Sequence, residues 1–185
     1  VAIGADIKRF KPGDRVLGQA VGTTVNQVAQ GAFQQHTIVL EHMASPIPAD
    51  MAFSQAAVLP LGLGTAACGL YGKTQLSLNP PSLSPVVSGD VVLVCGAASR
   101  VGCNAVQLAV ASGYTCIATA SAHNAELLRA LGASAVIDHS SPSVVDDLVA
   151  ALSGKRLAGT LHATGDMATC FAVVSRCDGV RRVAA

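Results

Sequence analysis

The sequence predicts an α/β fold, a doubly wound parallel sheet preceded by a smaller β-rich part. Val91–Cys95 is an unbroken apolar run, as a parallel strand covered on both faces requires. It enters a turn that opens with Gly96 and closes with Gly102, and then a helix whose Val106, Leu108, Ala109 and Val110 make it apolar nearly all round. Strand and helix patterns alternate from there to the last residue, and right-handed crossovers bring such strands into one parallel sheet.

In chain order, Pro12-Gly13 is a turn feeding a strand near Val16, and residues 31–39 read as a second short strand. Pro46 and Pro48 mark the exit from this β-rich part, which is assigned residues 1–50; a second domain takes 51–185. Ser54 is placed to cap a helix holding Ala56, Ala57 and Val58. Gly62, Gly64 and Thr65 then lie in a helical stretch of small residues that runs to Tyr71. Residues 79–88, rich in proline and serine, predict a surface loop. After the glycine turn, Thr115–Ala120 is a second sheet strand, Ser121 an N-cap, and 125–131 a helix closed by Gly132 at C′. Ala135–Asp138 is a third strand. Ser141-Pro142 opens the helix Val144–Leu152, which Gly154 ends. Residues 159–164 supply a fourth strand and 180–185 a fifth. The opening has too few strands to close a barrel, and nothing follows the fifth strand to cover the sheet. Both features lead us to expect a fragment, or a chain that partner chains complete.

Of the 185 residues 51% are hydrophobic and the mean hydropathy is +0.50, enough to build a core. Charged residues are 12% and the formal net charge is +1, which argues against nucleic acid or an anionic membrane as a partner. No stretch approaches the roughly 20 apolar residues of a membrane span, and residues 1–12 lack the order of a signal peptide, so a cytoplasmic location is expected. The six cysteines form no C-x-x-C pair and read as small buried hydrophobes; the five histidines share no ligand spacing, and no metal site is expected.

The glycine turn is the candidate binding site. Gly96 permits the sharp turn, Gly102 lets the helix pack close to the strand, and the amides over Ala98, Ser99, Arg100 and Val101 open at the positive end of the helix, where a phosphate can lie. Arg100 can itself pair with a phosphate. A site for a dinucleotide that carries free ribose hydroxyls needs an acid at the end of the second strand. Here that strand runs into Ser121, Ala122, His123 and Asn124, a neutral set that tolerates a 2′-phosphate, so NADPH is the expected coenzyme.

The landmarks R-F-K-P-G-D-R-V, G-A-F-Q-Q-H, L-P-L-G-L-G-T-A, V-L-V-C-G-A-A-S-R-V-G, A-S-A-H-N and L-G-A-S-A-V-I-D-H occur in this order. Together they resemble the medium-chain dehydrogenase/reductase superfamily, and within it the zinc-free quinone-oxidoreductase and fungal trans-acting enoyl-reductase branch. The resemblance implies a Rossmann domain after part of a GroES-like substrate domain. It implies that Ser121 and its neighbours contact the 2′-phosphate, that Thr65 lies in the helix backing the nicotinamide, that His139 stands beside the adenine where the family often has tyrosine, and that Ala163 and Thr164 meet the nicotinamide ribose. Ser99 and Arg100 depart from the smaller residues usual in this turn. The implied reaction is reduction of the C=C bond of an α,β-unsaturated carbonyl, on a small-molecule or carrier-bound enoyl substrate, by a monomer or homodimer. No residue is identified as the catalytic acid. The competing readings are a nucleotide-binding fragment without turnover, and a zinc-type alcohol dehydrogenase whose ligands lie outside this sequence.

Overall fold

The computed structural model describes residues 2–185. They fall into two compact units, the first ending at Leu61 and the second Gly62–Ala185.

In the first unit β1 (Val16–Gly18) pairs antiparallel with β2 (Ala44–Pro46), Val16 opposite Pro46. The strand expected over 31–39 does not form. The Gln34 side-chain amide donates to the carbonyls of Val28, Ala29 and Gly31 at 3.0, 3.1 and 2.6 Å. The Ile38 amide donates to the Ala29 carbonyl at 2.8 Å, so the segment folds on itself where a strand would need a neighbour. Beside β1, the Arg15 guanidinium donates to the carbonyls of Pro48, Ala49 and Met51 and lies 4.6 Å from the centre of the Phe53 ring. After the short helix α1 (Gly22–Val25) comes α2 (Phe53–Ala56), with Ala52 at its N-cap. Ser54 lies inside α2 and does not cap it; the Gln55 side chain closes the end by accepting the Ala52 amide at 2.9 Å.

The helix α3 (Leu59–Tyr71) follows, its small residues running to Tyr71 as expected. Taken with α2, Phe53–Tyr71 is a stretch of 19 residues with hydropathy 1.3, long and apolar enough by length and composition to cross a membrane. This corrects the expectation that no such stretch exists. The buried residues Gly62, Ala66 and Leu70 run as one stripe along α3, and Ala66 and Leu70 belong to the core against the sheet.

The second unit is a parallel sheet in the order β5-β4-β3-β6-β7, formed by β3 (Val91–Cys95), β4 (Thr115–Ala120), β5 (Ala135–Asp138), β6 (Leu157–His162) and β7 (Val183–Ala184). Side chains alternate across a strand, and the two faces carry separate cores. Val92, Val94 and Ala118 pack with Ala105, Val106 and Ala109 of α4 (Arg100–Ala111) and Leu128 of α5 (Ala125–Ala130). On the other face Val91, Leu93 and Ile117 pack with Leu148 and Leu152 of α6 (Val144–Leu152) and with Cys170, Val173 and Val174 of α7 (Met167–Arg176). The fold is therefore the doubly wound α/β sheet read from the sequence.

Three boundaries move. β6 begins at Leu157, two residues before the expected start, because Gly159 is an interior strand residue: a Cβ there would stand 2.8 Å from the Leu76 side chain leaning on it. The last strand contracts to β7, which pairs Val183 with Thr160 and Ala184 with Leu161. Ser121 makes no capping bond; a single 3₁₀ turn over Ala122–Asn124 separates it from α5.

Candidate binding site at the reversal of strand order

The strand order reverses between β4-β3 and β3-β6, and the crevice above the carboxyl ends of such strands is where open α/β sheets take ligands. Gly96, the first residue after β3, has φ +73 and lies so close to Thr164 beyond β6 that any Cβ would overlap the Thr164 carbonyl. Its amide donates to Thr119 Oγ1 at 3.0 Å, the Ala97 amide donates to the Thr119 carbonyl at 2.8 Å, and the Ala163 amide donates to the Cys95 carbonyl at 2.9 Å. Three strand ends are thereby fixed around one point. Gly102 serves the helix side, since a Cβ there would meet Ala97 and the Gly96 carbonyl at 2.5 Å.

Ser99 is the N-cap of α4: its Oγ accepts the Gly102 amide at 3.0 Å, and the Cys103 amide bonds back to the Ser99 carbonyl at 2.8 Å. The Arg100 and Val101 amides have no partner within the helix, as first-turn amides do not, and stand at its positive end.

Above this turn is a cavity of about 390 Å³. Gly96, Ala98 and Ser99 form its floor together with Cys95, while Thr119, Ala120 and Ser121 bring in the end of β4. His139 and Val144 line it from the β5–α6 side, and Thr164, Gly165, Asp166 and Thr169 from the β6–α7 side. Ser121 Oγ and His139 Nε2 are 3.0 Å apart, a hydrogen-bonded pair on the rim. The hydroxyl that was expected to cap a helix is instead joined to the next strand end.

Thr65, Val101 and Ala163 line a second, smaller cavity of about 200 Å³, along with Cys68, Gln75 and His162. Arg100, Gly102, His123 and Asn124 line neither. Gly102 is buried under the turn, Arg100 is exposed, and Asn124 Nδ2 lies 3.1 Å from His123 Nε2, so these two polar groups partner each other.

Among the cavity residues that sequence reasoning missed are Cys95, Val144, Gly165, Asp166 and Thr169. Asp166 caps α7, its Oδ1 accepting the Ala168 amide at 3.0 Å and its Oδ2 the Thr169 hydroxyl at 3.1 Å. The Ala168 amide foremost, then the Thr169 hydroxyl, holds the Asp166 carboxyl below the usual carboxylate range. An Asp before an apolar helical run is a legible cap signal, but it does not announce a cavity. On the floor, the bond to Cys170 and burial push the Cys95 thiol up, so it stays protonated. Among the described residues no group of three or more His, Cys, Asp or Glu is arranged to hold a metal ion.

No family model matches the chain. The dehydrogenase azaJ of Aspergillus niger is 53% identical over 165 residues, which cover 89% of this chain and 48% of that protein. The trans-enoyl reductase himH of Aspergillus japonicus is 41% identical over 180 residues, 97% of this chain and 52% of that protein. Among solved structures, quinone oxidoreductase of Escherichia coli complexed with NADPH matches with a TM-score of 0.63 at 28% identity, over 89% of this chain and 46% of that one. The chain thus spans about half the length of the relatives it matches. An alignment of this extent, joined to the likeness of fold, leaves one conclusion: the chain belongs to the medium-chain dehydrogenase/reductase superfamily, beside its quinone-oxidoreductase and trans-enoyl-reductase members.

Proposed function

We propose that the chain is the coenzyme-binding part of an NADPH-dependent reductase of the C=C bond in an α,β-unsaturated carbonyl, enoyl or quinone-like, presented as a small molecule or on a carrier. The observation that carries the reading is the cavity at the strand reversal, where the end of β4 supplies Ser121, bonded to His139 from the end of β5, and no carboxylate. The space left by Gly96 and the open amides of α4 suit a diphosphate. Ser121 Oγ and the His139 ring suit a 2′-phosphate, which a β4 aspartate would repel. Small Ala98 leaves room above the turn, and Thr65, Val101 and Ala163 in the second cavity suit the nicotinamide end. A reduced nicotinamide supplies the hydride; this chain binds and orients it. The names of himH and of the NADPH-bound quinone oxidoreductase support the reaction class. In the same reading the first unit is part of a GroES-like substrate domain and the protein works in the cytoplasm.

The test is thermal unfolding of the purified chain with NADPH or NADH, followed by NADPH oxidation with a crotonyl thioester. A ligand at about 100 times its Kd stabilises by about 2.7 kcal/mol, an upward shift of several degrees, and we expect it from NADPH at lower concentration than from NADH. No shift with either coenzyme overturns the proposal. Because the chain spans half of its relatives, binding without turnover is the outcome that favours a nucleotide-binding part lacking its own catalysis.

A further inference from the structure

The cavity has two chemically opposite walls. At one end stand the α4 amides and the Ser121–His139 pair, which offer hydrogens. At the other end the side chains at the start of α7 offer lone pairs. Asp166 Oδ1 and Oδ2 each accept one bond from within the helix start, and an ionised carboxylate has about four acceptor sites, so both oxygens keep capacity. The Thr169 hydroxyl has given its hydrogen to Asp166, and its oxygen can only accept. The Gly165 carbonyl faces His162 Nε2 at 3.2 Å. A phosphate cannot settle against this negative, acceptor-bearing wall; a flat group with an N–H edge can. Val144, the first residue of α6, supplies an apolar side to such a slot.

We infer that Asp166, backed by Thr169, is the residue that selects adenine over an oxo-purine, by accepting a hydrogen bond from the 6-amino group of the base. The inference rests on the reading of this cavity as the coenzyme site. It makes Asp166 a specificity residue whose second task, capping α7, keeps its carboxylate ionised and aimed. Hypoxanthine carries an oxygen where adenine carries the amine, so it would set two acceptors face to face. Sites built to pair a polar group discriminate strongly against the analogue that lacks it.

The experiment is calorimetric titration of the chain with NADPH and with nicotinamide hypoxanthine dinucleotide phosphate, for the wild type and for Asp166→Asn. Asparagine caps a helix as well as aspartate does, so α7 keeps its start, and its amide can donate to a 6-oxo group. Expected are a wild-type preference of about tenfold or more for the adenine coenzyme, and a variant in which the preference falls within about twofold or inverts. Equal wild-type affinities overturn the inference, and so does a variant that weakens both coenzymes equally, which is the signature of a ribose contact or a cap alone. Failure of the wild type to bind NADPH at all is a separate result, read in the first titration, and it removes the coenzyme reading together with this one.

Discussion

The floor and the rim of the main cavity are built by different means. The floor is backbone: Gly96 pressed against Thr164, the amides of Gly96 and Ala97 tied to Thr119, the open first turn of α4. The rim is side chain: Ser121 with His139 on one flank, Asp166 with Thr169 on the other. Backbone groups are the same in every residue, so the floor can recognise the diphosphate common to all dinucleotides but cannot tell one coenzyme from another. Selectivity must come from the rim. Damage to the floor is accordingly expected to cost fold and binding together, and changes at the rim to alter choice while the fold stands.

Gly96→Ala should have the largest effect. It places a Cβ against the Thr164 backbone in a left-handed conformation, and we expect a loss of at least about 1–3 kcal/mol in urea unfolding, with binding of both coenzymes reduced alike. A variant of wild-type stability would show that the close approach of β3 and β6 is not what requires glycine.

Ser121→Asp is the matching change at the rim. It leaves the floor intact and puts a carboxylate at the end of β4, beside His139. NADPH affinity is expected to fall about 10- to 100-fold, while NADH affinity changes little or improves, since a carboxylate there accepts from free ribose hydroxyls. Equal losses for the two coenzymes would break the assignment of Ser121 to the phosphate.

The same contrast explains how much could be read from residues alone. β3 and β4 are continuous apolar or small-residue runs whose boundaries agree with the structure because burial on both faces dictates their composition, and the half-buried edge strand β5 keeps its expected range as well. α6 spans Val144–Leu152 as expected, but its opening was misread, since Ser143 and not Ser141 stands at its N-cap and makes no side-chain capping bond. Gly96 and Gly102 were legible, being required by close approach whatever the sequence around them. Gly159 misled, because a glycine inside a strand looks like a boundary until Leu76 is seen lying on it. Residues 31–39 misled because the capture of three carbonyls by the Gln34 amide has no periodic signature. The rim was legible only in part. Ser121 could be named from its place after β4, but its pairing with His139 joins residues 18 apart. Asp166 reads locally as a helix cap; only the packing of α7 beside β3 carries it to the cavity.

Ser99→Ala separates floor from rim on a smaller scale. It removes the bond to the Gly102 amide, leaving one more unpaired donor at the start of α4, and should cost about 1 kcal/mol in urea unfolding. Because Ser99 also lines the cavity floor, NADPH and NADH should weaken by the same factor. A selective loss of NADPH would move Ser99 to the rim.

The smallest effect is set by proton linkage at Asp166. Its folded carboxyl lies below the ordinary aspartate value of about 3.9, through the Ala168 amide and then the Thr169 hydroxyl. A depressed folded pKa means that the unfolded chain takes up the proton first as pH falls, so the contribution of Asp166 is complete above the unfolded value and is lost as pH drops below about 3.9 towards the folded value. Asp138, held down by the Ser140 amide and hydroxyl, acts in the same direction and is a background common to wild type and variant. In Asp166→Asn the group no longer titrates. The melting temperature of the wild type should therefore fall slightly more steeply than that of the variant below pH 4, with the two curves parallel above pH 5. The side chain is exposed, so solvent and salt screen the charge and the difference should shrink as ionic strength rises. Parallel curves throughout the acid range would mean that Asp166 is not anchored at the start of α7, and the acceptor wall facing Ser121 and His139 would lose its support.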